Sequence, residues 1–214
     1  VAQITNLRVV TCHKYQVLVE QWGTTLRAHA PVEQERFTIA PLCRHSKPVV
    51  GFSGFLYMNG RKGETLAREL VNSPLGQRCE FIASGRGWPV RTRKYTWAEM
   101  PAFYQGLDVL VCTSLVEGIP MPPLEALACG VSVVVPYDVG MMDELPEMPG
   151  IYHYEKGNSA ELQRAVERAI DERAQVNREE LRASIAEHSD RAWVEDHREA
   201  FEKLLGVQQE PVSA

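Results

Sequence analysis

The sequence predicts an α/β fold, a parallel sheet covered by helices on both faces. Nearly continuous apolar runs recur along the chain: Val49-Val50-Gly51-Phe52, Phe81-Ile82-Ala83, Val109-Leu110-Val111-Cys112 and, around Ser132, Val131 to Val135. Strands buried on both faces read this way, whereas a strand with one wet face alternates. Helix-patterned segments separate the runs, as crossover connections require. Glycines follow the first two runs, at Gly54, Gly85 and Gly87.

Residues 1–45 are the least regular. Arg8 to Cys12 can form a strand, Tyr15 to Trp22 a short helix ended by Gly23, and Phe37 to Pro41 a brief extended segment. From Pro48 the pattern sharpens. Val49 to Gly54 is a strand, Gly63 to Val71 a helix, and Glu80 to Gly85 a second strand. Val90 to Tyr95 is a further strand candidate, followed by a short helix, Trp97 to Tyr104, whose pattern Pro101 interrupts. Leu107 to Cys112 and Val131 to Val135 are strands flanking a short helix, Leu124 to Gly130, and Ile151 to Tyr154 is the last strand. Ser159 is the expected N-cap of a helix carrying Leu162, Val166, Ala169 and Ile170 on one stripe. Asn177 to Ala186 and Ala192 to Leu205 complete the helices. The expected organisation is a connector over 1–45, one binding domain with its C-terminal helices over 46–206, and a frayed tail over 207–214.

A length of 214 residues with 44% hydrophobic and 24% charged residues fits one large domain or one domain with an appendage. The net charge of −5 argues against nucleic acid and acidic membranes as partners. No stretch of about 18 apolar residues predicts a membrane span, and Val1-Ala2-Gln3-Ile4-Thr5 does not look like a signal peptide. The five cysteines, Cys12, Cys43, Cys79, Cys112 and Cys129, are scattered, with no Cys-x-x-Cys pair. Buried free thiols in a reducing, cytoplasmic setting are expected, without a zinc site.

The most informative segment runs from Glu117 to Glu125: two carboxylates eight residues apart, with a glycine, three prolines and no charge between them. The spacing alone is uninformative, since Glu172/Glu180, Glu179/Glu187 and Glu187/Glu195 repeat it in the charged C-terminal third. Context separates Glu117/Glu125 from these solvated helix faces. Pro122 or Pro123 suits the first helical position, and Gly130 suits the residue just past the helix end. The N–H groups of Gly118, Ile119, Met121 and Leu124 would then be free beside a positive dipole end, which attracts phosphate. Glu125 would fall in the first helical turn, facing the mouth of the sheet. Its alternative role there is dipole compensation, worth roughly 0.3–1 kcal/mol.

Tyr104-Gln105-Gly106-Leu107-Asp108-Val109-Leu110-Val111-Cys112-Thr113-Ser114, then Glu117 through Gly130, then Val133-Val134-Val135, resemble the C-terminal, donor-binding domain of retaining glycosyltransferases of the GT-B fold, family 4 above all. The likeness covers roughly residues 47–205. It implies a Rossmann-like parallel sheet corresponding to the C-terminal half of a GT-B fold. Gly54 with Lys62-Gly63 resembles the family's first phosphate loop, and Ser84-Gly85-Arg86-Gly87 its second glycine turn. The resemblance implies a nucleotide diphosphate sugar as donor substrate and retaining, hexosyltransferase-like transfer. Glu117 would contact the sugar near the reacting carbon as the catalytic residue. Gly118, Ile119 and Pro120 would lie beside the sugar and diphosphate, and Glu125 would accept from the ribose hydroxyls. Lys62 would neutralise the diphosphate without a required metal or other cofactor, and the loop around Arg93-Lys94-Tyr95 would sit at the nucleobase.

Two departures stand out. The family places Arg directly after the glycine of the first loop; here Phe55 stands there, and Arg61 is near enough in sequence to substitute if the loop shifts, while Arg86 reads equally as a surface turn residue or a diphosphate ligand. The family also has an acceptor-binding N-terminal domain, of which residues 1–45 resemble only a remnant. A truncated donor half, inactive alone and completed by a homodimer or partner chain, is one expectation. A non-catalytic nucleotide-binding or assembly module is the alternative. A dehydrogenase is disfavoured, because no Gly-x-Gly-x-x-G follows a strand with an acidic residue about 20 positions later. His13 and His153 read as ordinary polar residues, Trp88 and Trp97 as packing residues, and Glu144 as a further candidate for the sugar.

Overall fold

The computed structural model describes residues 7–41, 45–57 and 59–205. The chain opens with a small parallel β-α-β unit: β1 (Arg8–Val10), α1 (His13–Val19) and β2 (Thr25–Arg27). The main sheet has six strands: β3 (Val49–Phe55), β4 (Glu80–Arg86), β5 (Arg91–Arg93), β6 (Val109–Val111), β7 (Ser132–Pro136) and β8 (Ile151–Tyr154). Every pairing in it is parallel, in the order β5-β4-β3-β6-β7-β8. The chain lays down β3 to β5 outward, then returns to start β6 on the other side of β3. Strand order reverses between β3 and β6, the place where sheets of this topology open a crevice at their carboxyl ends.

Period-two alternation divides the strand side chains between two cores. Val50, Phe52, Val109, Val111 and Val134 face α2 (Glu64–Asn72), α3 (Leu75–Arg78) and α6 (Ser159–Asp171), meeting Leu66, Leu70, Leu162 and Val166. Val49, Leu110, Val133 and Val135 face the other way, into a core with Phe103 and Tyr104 of α4 (Met100–Gln105), Leu124 and Leu127 of α5 (Met121–Ala128), and Leu181 of α7 (Arg178–Ala183). The last helix, α8 (Asp190–Leu205), follows. This is the α/β, Rossmann-like parallel sheet that the apolar runs predict. Ala30, Val32 and Phe37 bury into the main core, so the segment after β2 packs on the sheet domain rather than hanging beside it.

Several boundaries differ from expectation for local reasons. Pro101 does not interrupt α4; it sits in the first turn, where its missing N–H costs nothing. The turn ahead of it, Trp97–Glu99, is closed by a capping box between Thr96 and Glu99. Asn158, not Ser159, caps α6, accepting from the Glu161 N–H at 3.1 Å. The candidate strand 90–95 shortens to β5, an exposed edge whose two arginines discourage further pairing. Phe37 to Pro41 joins no strand ladder; Phe37 lies at a bend, its N–H donating to the Glu33 carbonyl, and its ring is buried 5.5 Å from Trp97 and 5.9 Å from Tyr104. Cys43, Gly206 and the expected tail lie outside the described residues. Among the described residues no helix is long and apolar enough to cross a membrane.

Candidate functional site

The loop after β3 is pressed against the end of β6. Gly63 caps α2 with φ +67°, and a Cβ there would lie 2.0 Å from the Thr113 carbonyl oxygen, so only glycine permits the approach. The Thr113 hydroxyl donates to the Lys62 carbonyl at 2.6 Å, and the Leu115 N–H to the Arg61 carbonyl at 2.8 Å. Backbone stitching on both sides leaves the Lys62 side chain aimed at Glu117, with which it forms an ion pair. The Ser114 hydroxyl donates to the same carboxylate oxygen at 2.9 Å. Only 14% of the Lys62 side chain and 10% of Glu117 remain exposed. Together with Ser53, Trp88 and Pro120 they line a narrow crevice at the carboxyl ends of β3 and β6. A pair this enclosed is screened less than one on the surface, and removing either partner strands the other charge.

The start of α5 forms one wall. Its first residue is Met121, so Pro122 and Pro123 occupy positions whose N–H groups would have been orphaned. The prolines make the helix start inexpensive and also remove two donors. A third is used internally: the Met121 N–H donates to the Ile119 carbonyl at 3.0 Å, so that amide is not free as expected. Gly118 differs from the other site glycines. It is exposed, lacks a positive φ, and no atom lies within 4 Å of where its Cβ would be. Nothing in the protein requires glycine there, and the space in front of it is open. Behind it, a Cβ on Gly140 would lie 2.5 Å from the Gly118 carbonyl oxygen, and the Tyr15 hydroxyl donates to the Glu117 carbonyl at 2.7 Å. The far end of α5 closes as predicted: Gly130, at φ +67°, donates to the Leu127 carbonyl and Val131 to that of Ala126, the paired bonds of a Schellman cap.

Glu125 departs from its expected place. As the fifth residue of α5 it lies in the second turn, and it is 5% exposed. It does not line the crevice that holds Glu117. Its Oε2 accepts from the Tyr104 hydroxyl at 2.5 Å. Tyr104 is fully buried, and its hydroxyl lies 3.3 Å from the hydroxyl of Ser53, which does line the crevice. Burial pushes the Glu125 carboxyl above its usual range, and the Tyr104 hydrogen bond opposes that push. Burial and the adjacent carboxylate push the Tyr104 hydroxyl well up.

The remaining candidates divide. Gly54 ends β3 at φ +111°, and its carbonyl accepts from the Trp88 indole N–H at 2.8 Å. Trp88 is thus a crevice wall as well as a packing residue. Arg86 pairs in register opposite Phe55, and its guanidinium lies 6.0 Å from that ring, at the crevice end of the strands. Arg61 is exposed and lies over Tyr57 instead, 5.3 Å from the ring. Pro120 is buried against the crevice, while Ile119 leans on the core. Tyr95 packs on Phe103 at 5.1 Å beneath Arg93, outside the crevice lining. Glu144 is taken by the N-terminal unit, accepting from the His13 N–H at 2.6 Å and from Arg27 at 3.2 Å. His153 stacks on Tyr137 at 4.7 Å. Among the described residues no three His, Cys, Asp or Glu side chains converge as metal ligands, and Cys12, Cys79, Cys112 and Cys129 are free. Sequence reasoning missed Ser53, Tyr104, Ser114 and Tyr15. Only Tyr104 carried a signal, a phenol on an apolar helix face whose hydroxyl must find a partner.

Residues 90–191 match the family profile described as glycosyl transferases group 1. No curated protein sequence matches the chain. Among solved structures, sucrose-phosphate synthase from Thermosynechococcus elongatus aligns with TM-score 0.79 at 17% identity, covering 97% of this chain and 60% of that one. Anabaena HepE in complex with UDP-glucose aligns with TM-score 0.76 at 17% identity, covering 96% of this chain and 65% of that one. The C-terminal domain of a glycosyl transferase group 1 family protein from Francisella tularensis aligns with TM-score 0.58 at 18% identity, covering 72% of this chain and 96% of that one. The chain thus spans 60% and 65% of the length of the two larger proteins. Residues 90–191 thus resemble the glycosyl transferases of group 1, and the chain has the α/β, Rossmann-like fold seen in these GT-B glycosyltransferase structures.

Proposed function

We propose that the crevice binds a nucleotide diphosphate sugar and serves retaining glycosyl transfer. The observation that carries this reading is the placement of Lys62 and Glu117 together at the strand-order reversal, beside the open space in front of Gly118. On this fold HepE has been solved with UDP-glucose. Lys62, the Gly118 and Ile119 amides and the dipole of α5 supply positive potential for a diphosphate, with no metal assigned a part. As the bond from the anomeric carbon to the diphosphate breaks, its electron pair leaves on the phosphate oxygen. The sugar becomes oxocarbenium-like, and Glu117 offers it negative charge.

Arg86, presented across the ladder from Phe55, is the better placed substitute for the arginine that the resemblance expects after Gly54. Arg61 and Tyr95 would reach the ligand only by leaving their rings. We assign Glu125 to the ribose hydroxyls, supported by the Ser53–Tyr104 link between its carboxylate and the crevice. The acceptor site would come from a further domain, a homodimer or a partner chain; exposed Val9, Val17, Leu18 and Trp22 on the N-terminal unit offer apolar surface for one. A cytoplasmic location suits the unpaired thiols. Phe55 favours the second reading, a nucleotide-binding module without turnover.

Calorimetry with UDP, GDP and ADP tests the binding. At least one is expected to bind, at least tenfold more weakly to Lys62→Ala. No heat from any at millimolar concentration contradicts the reading. Binding by the complete assembly without hydrolysis or transfer of any nucleotide sugar selects the module.

A further inference from the structure

We propose that Tyr104 is the positioning residue for Glu125, holding its carboxylate in the ligand-ready orientation and linking it to the crevice through Ser53. The inference rests on the nucleotide-sugar reading. Glu125 comes from α5, Tyr104 from α4 and Ser53 from β3, so three separate elements converge on one hydroxyl. The Tyr104 hydroxyl has one proton to give. It lies 2.5 Å from Glu125 Oε2 and 3.3 Å from the Ser53 hydroxyl. With Glu125 ionised, its proton goes to the carboxylate, and Ser53 donates to the phenol oxygen. All three groups are then oriented toward one end of the chain. The ring itself cannot swing away: it is fully buried, with Phe37 at 5.9 Å and Phe103 at 5.3 Å.

Other groups face this pair. Glu33, paired with Arg36, adds negative potential at Glu125, and the buried Cys129 thiol lies near Tyr104. No described cation pairs with Glu125 in a salt bridge, so a neutral phenol is the partner that fixes its rotamer. Oε2 is held by the phenol, and on this reading the other oxygen would accept from a ligand hydroxyl. A carboxylate held in this way loses little rotamer freedom on binding, which is how pre-organisation raises affinity.

The test compares whichever of UDP, GDP or ADP the wild type binds most tightly with its 2′,3′-dideoxy counterpart. The wild type is expected to prefer the ribose form about tenfold or more, as hydrogen bonds to a charged acceptor allow. Tyr104→Phe keeps the ring and removes the hydroxyl. Its preference is expected to fall to about two- to threefold, with the dideoxy form bound as tightly as by the wild type. A merely structural role would weaken both ligands alike and leave the preference intact, and that result overturns the inference. If Tyr104→Phe does not fold, Ser53→Ala carries the test: a preference reduced about threefold supports the chain, and an unchanged one overturns it. A wild type that binds the nucleotide without preferring ribose removes Glu125 from the ligand and overturns the inference alone. A wild type that binds none of the three overturns the nucleotide-sugar reading and this inference together.

Discussion

The loop at the mouth of the crevice and the buried turn behind it each present one carboxylate, and their surroundings are opposite. Glu117 sits in a part-open loop beside a cation and accepts from Ser114. Glu125 sits in a closed helix turn beside a neutral phenol. The first carboxylate is paired with a cation, whereas burial disfavours charge on the second. The contrast teaches that spacing in the sequence does not make two acids equivalent. On the proposed reading a ligand would release Glu117 from Lys62, whereas Glu125 is held by the Tyr104 hydroxyl.

The largest expected effect separates their roles. Glu117→Gln removes the internal competitor for Lys62, so nucleoside diphosphates should bind as tightly as before or a few-fold tighter. Turnover of the complete assembly should fall on the order of 10²–10³-fold, as when one transition-state contact is lost. Calorimetry and donor-hydrolysis assays read the two quantities, and a parallel loss of both would erase the distinction. Gly63→Ala attacks the scaffold of the mouth instead. The added Cβ would meet the Thr113 carbonyl 2.0 Å away at an unfavourable φ, so a loss of about 2–4 kcal/mol in urea unfolding is expected. Native stability would show that the two loops part easily.

The same comparison shows what the sequence made legible. Apolar runs identified the doubly covered sheet because burial on both faces leaves no alternation. Gly130 marked the end of α5 because a left-handed residue there favours glycine. Lys62 and Glu117 could be brought together because both follow strands and so reach the carboxyl edge. Glu125 was misplaced because Met121, unremarkable by propensity, starts the helix ahead of both prolines and moves Glu125 into the second turn. Its tie to Tyr104 was out of reach, because periodicity names the face of a helix and says nothing of where a phenol tip ends. The short β2 and the burial of Phe37 were hidden for a related reason: both depend on tertiary partners far along the chain.

A smaller effect sharpens the electrostatic half of the comparison. A carboxyl raised by burial binds its proton more tightly in the folded protein than in the unfolded chain. Its cost is absent below the unfolded value, 4.5, and grows as pH rises from there through the raised folded value. Glu125→Gln should therefore gain thermal stability relative to wild type at pH 8 and less at pH 4, while losing nucleotide affinity. A variant less stable than wild type at pH 8 would show that the Tyr104 bond outweighs the burial.

The smallest effect concerns the N-terminal unit, tied to the mouth through Tyr15 and through Lys14 on Asp138. Lys14 and Lys156 hold the Asp138 carboxyl down at about 2. The support it gives is full above 3.8, its unfolded value, and is lost as pH falls through about 2. Protection of residues 13–27 in hydrogen exchange should weaken slightly across that window in wild type and not in Asp138→Asn. Equal weakening in both would remove Asp138 from the tie.

The most direct test is a crystal structure of the chain soaked with the nucleoside diphosphate it binds. The diphosphate should lie between the Lys62 ammonium and the Gly118 amide, with the Lys62–Glu117 pair opened and the ribose within hydrogen-bond distance of Glu125. A nucleotide seated elsewhere, with that ion pair still closed, would contradict the account.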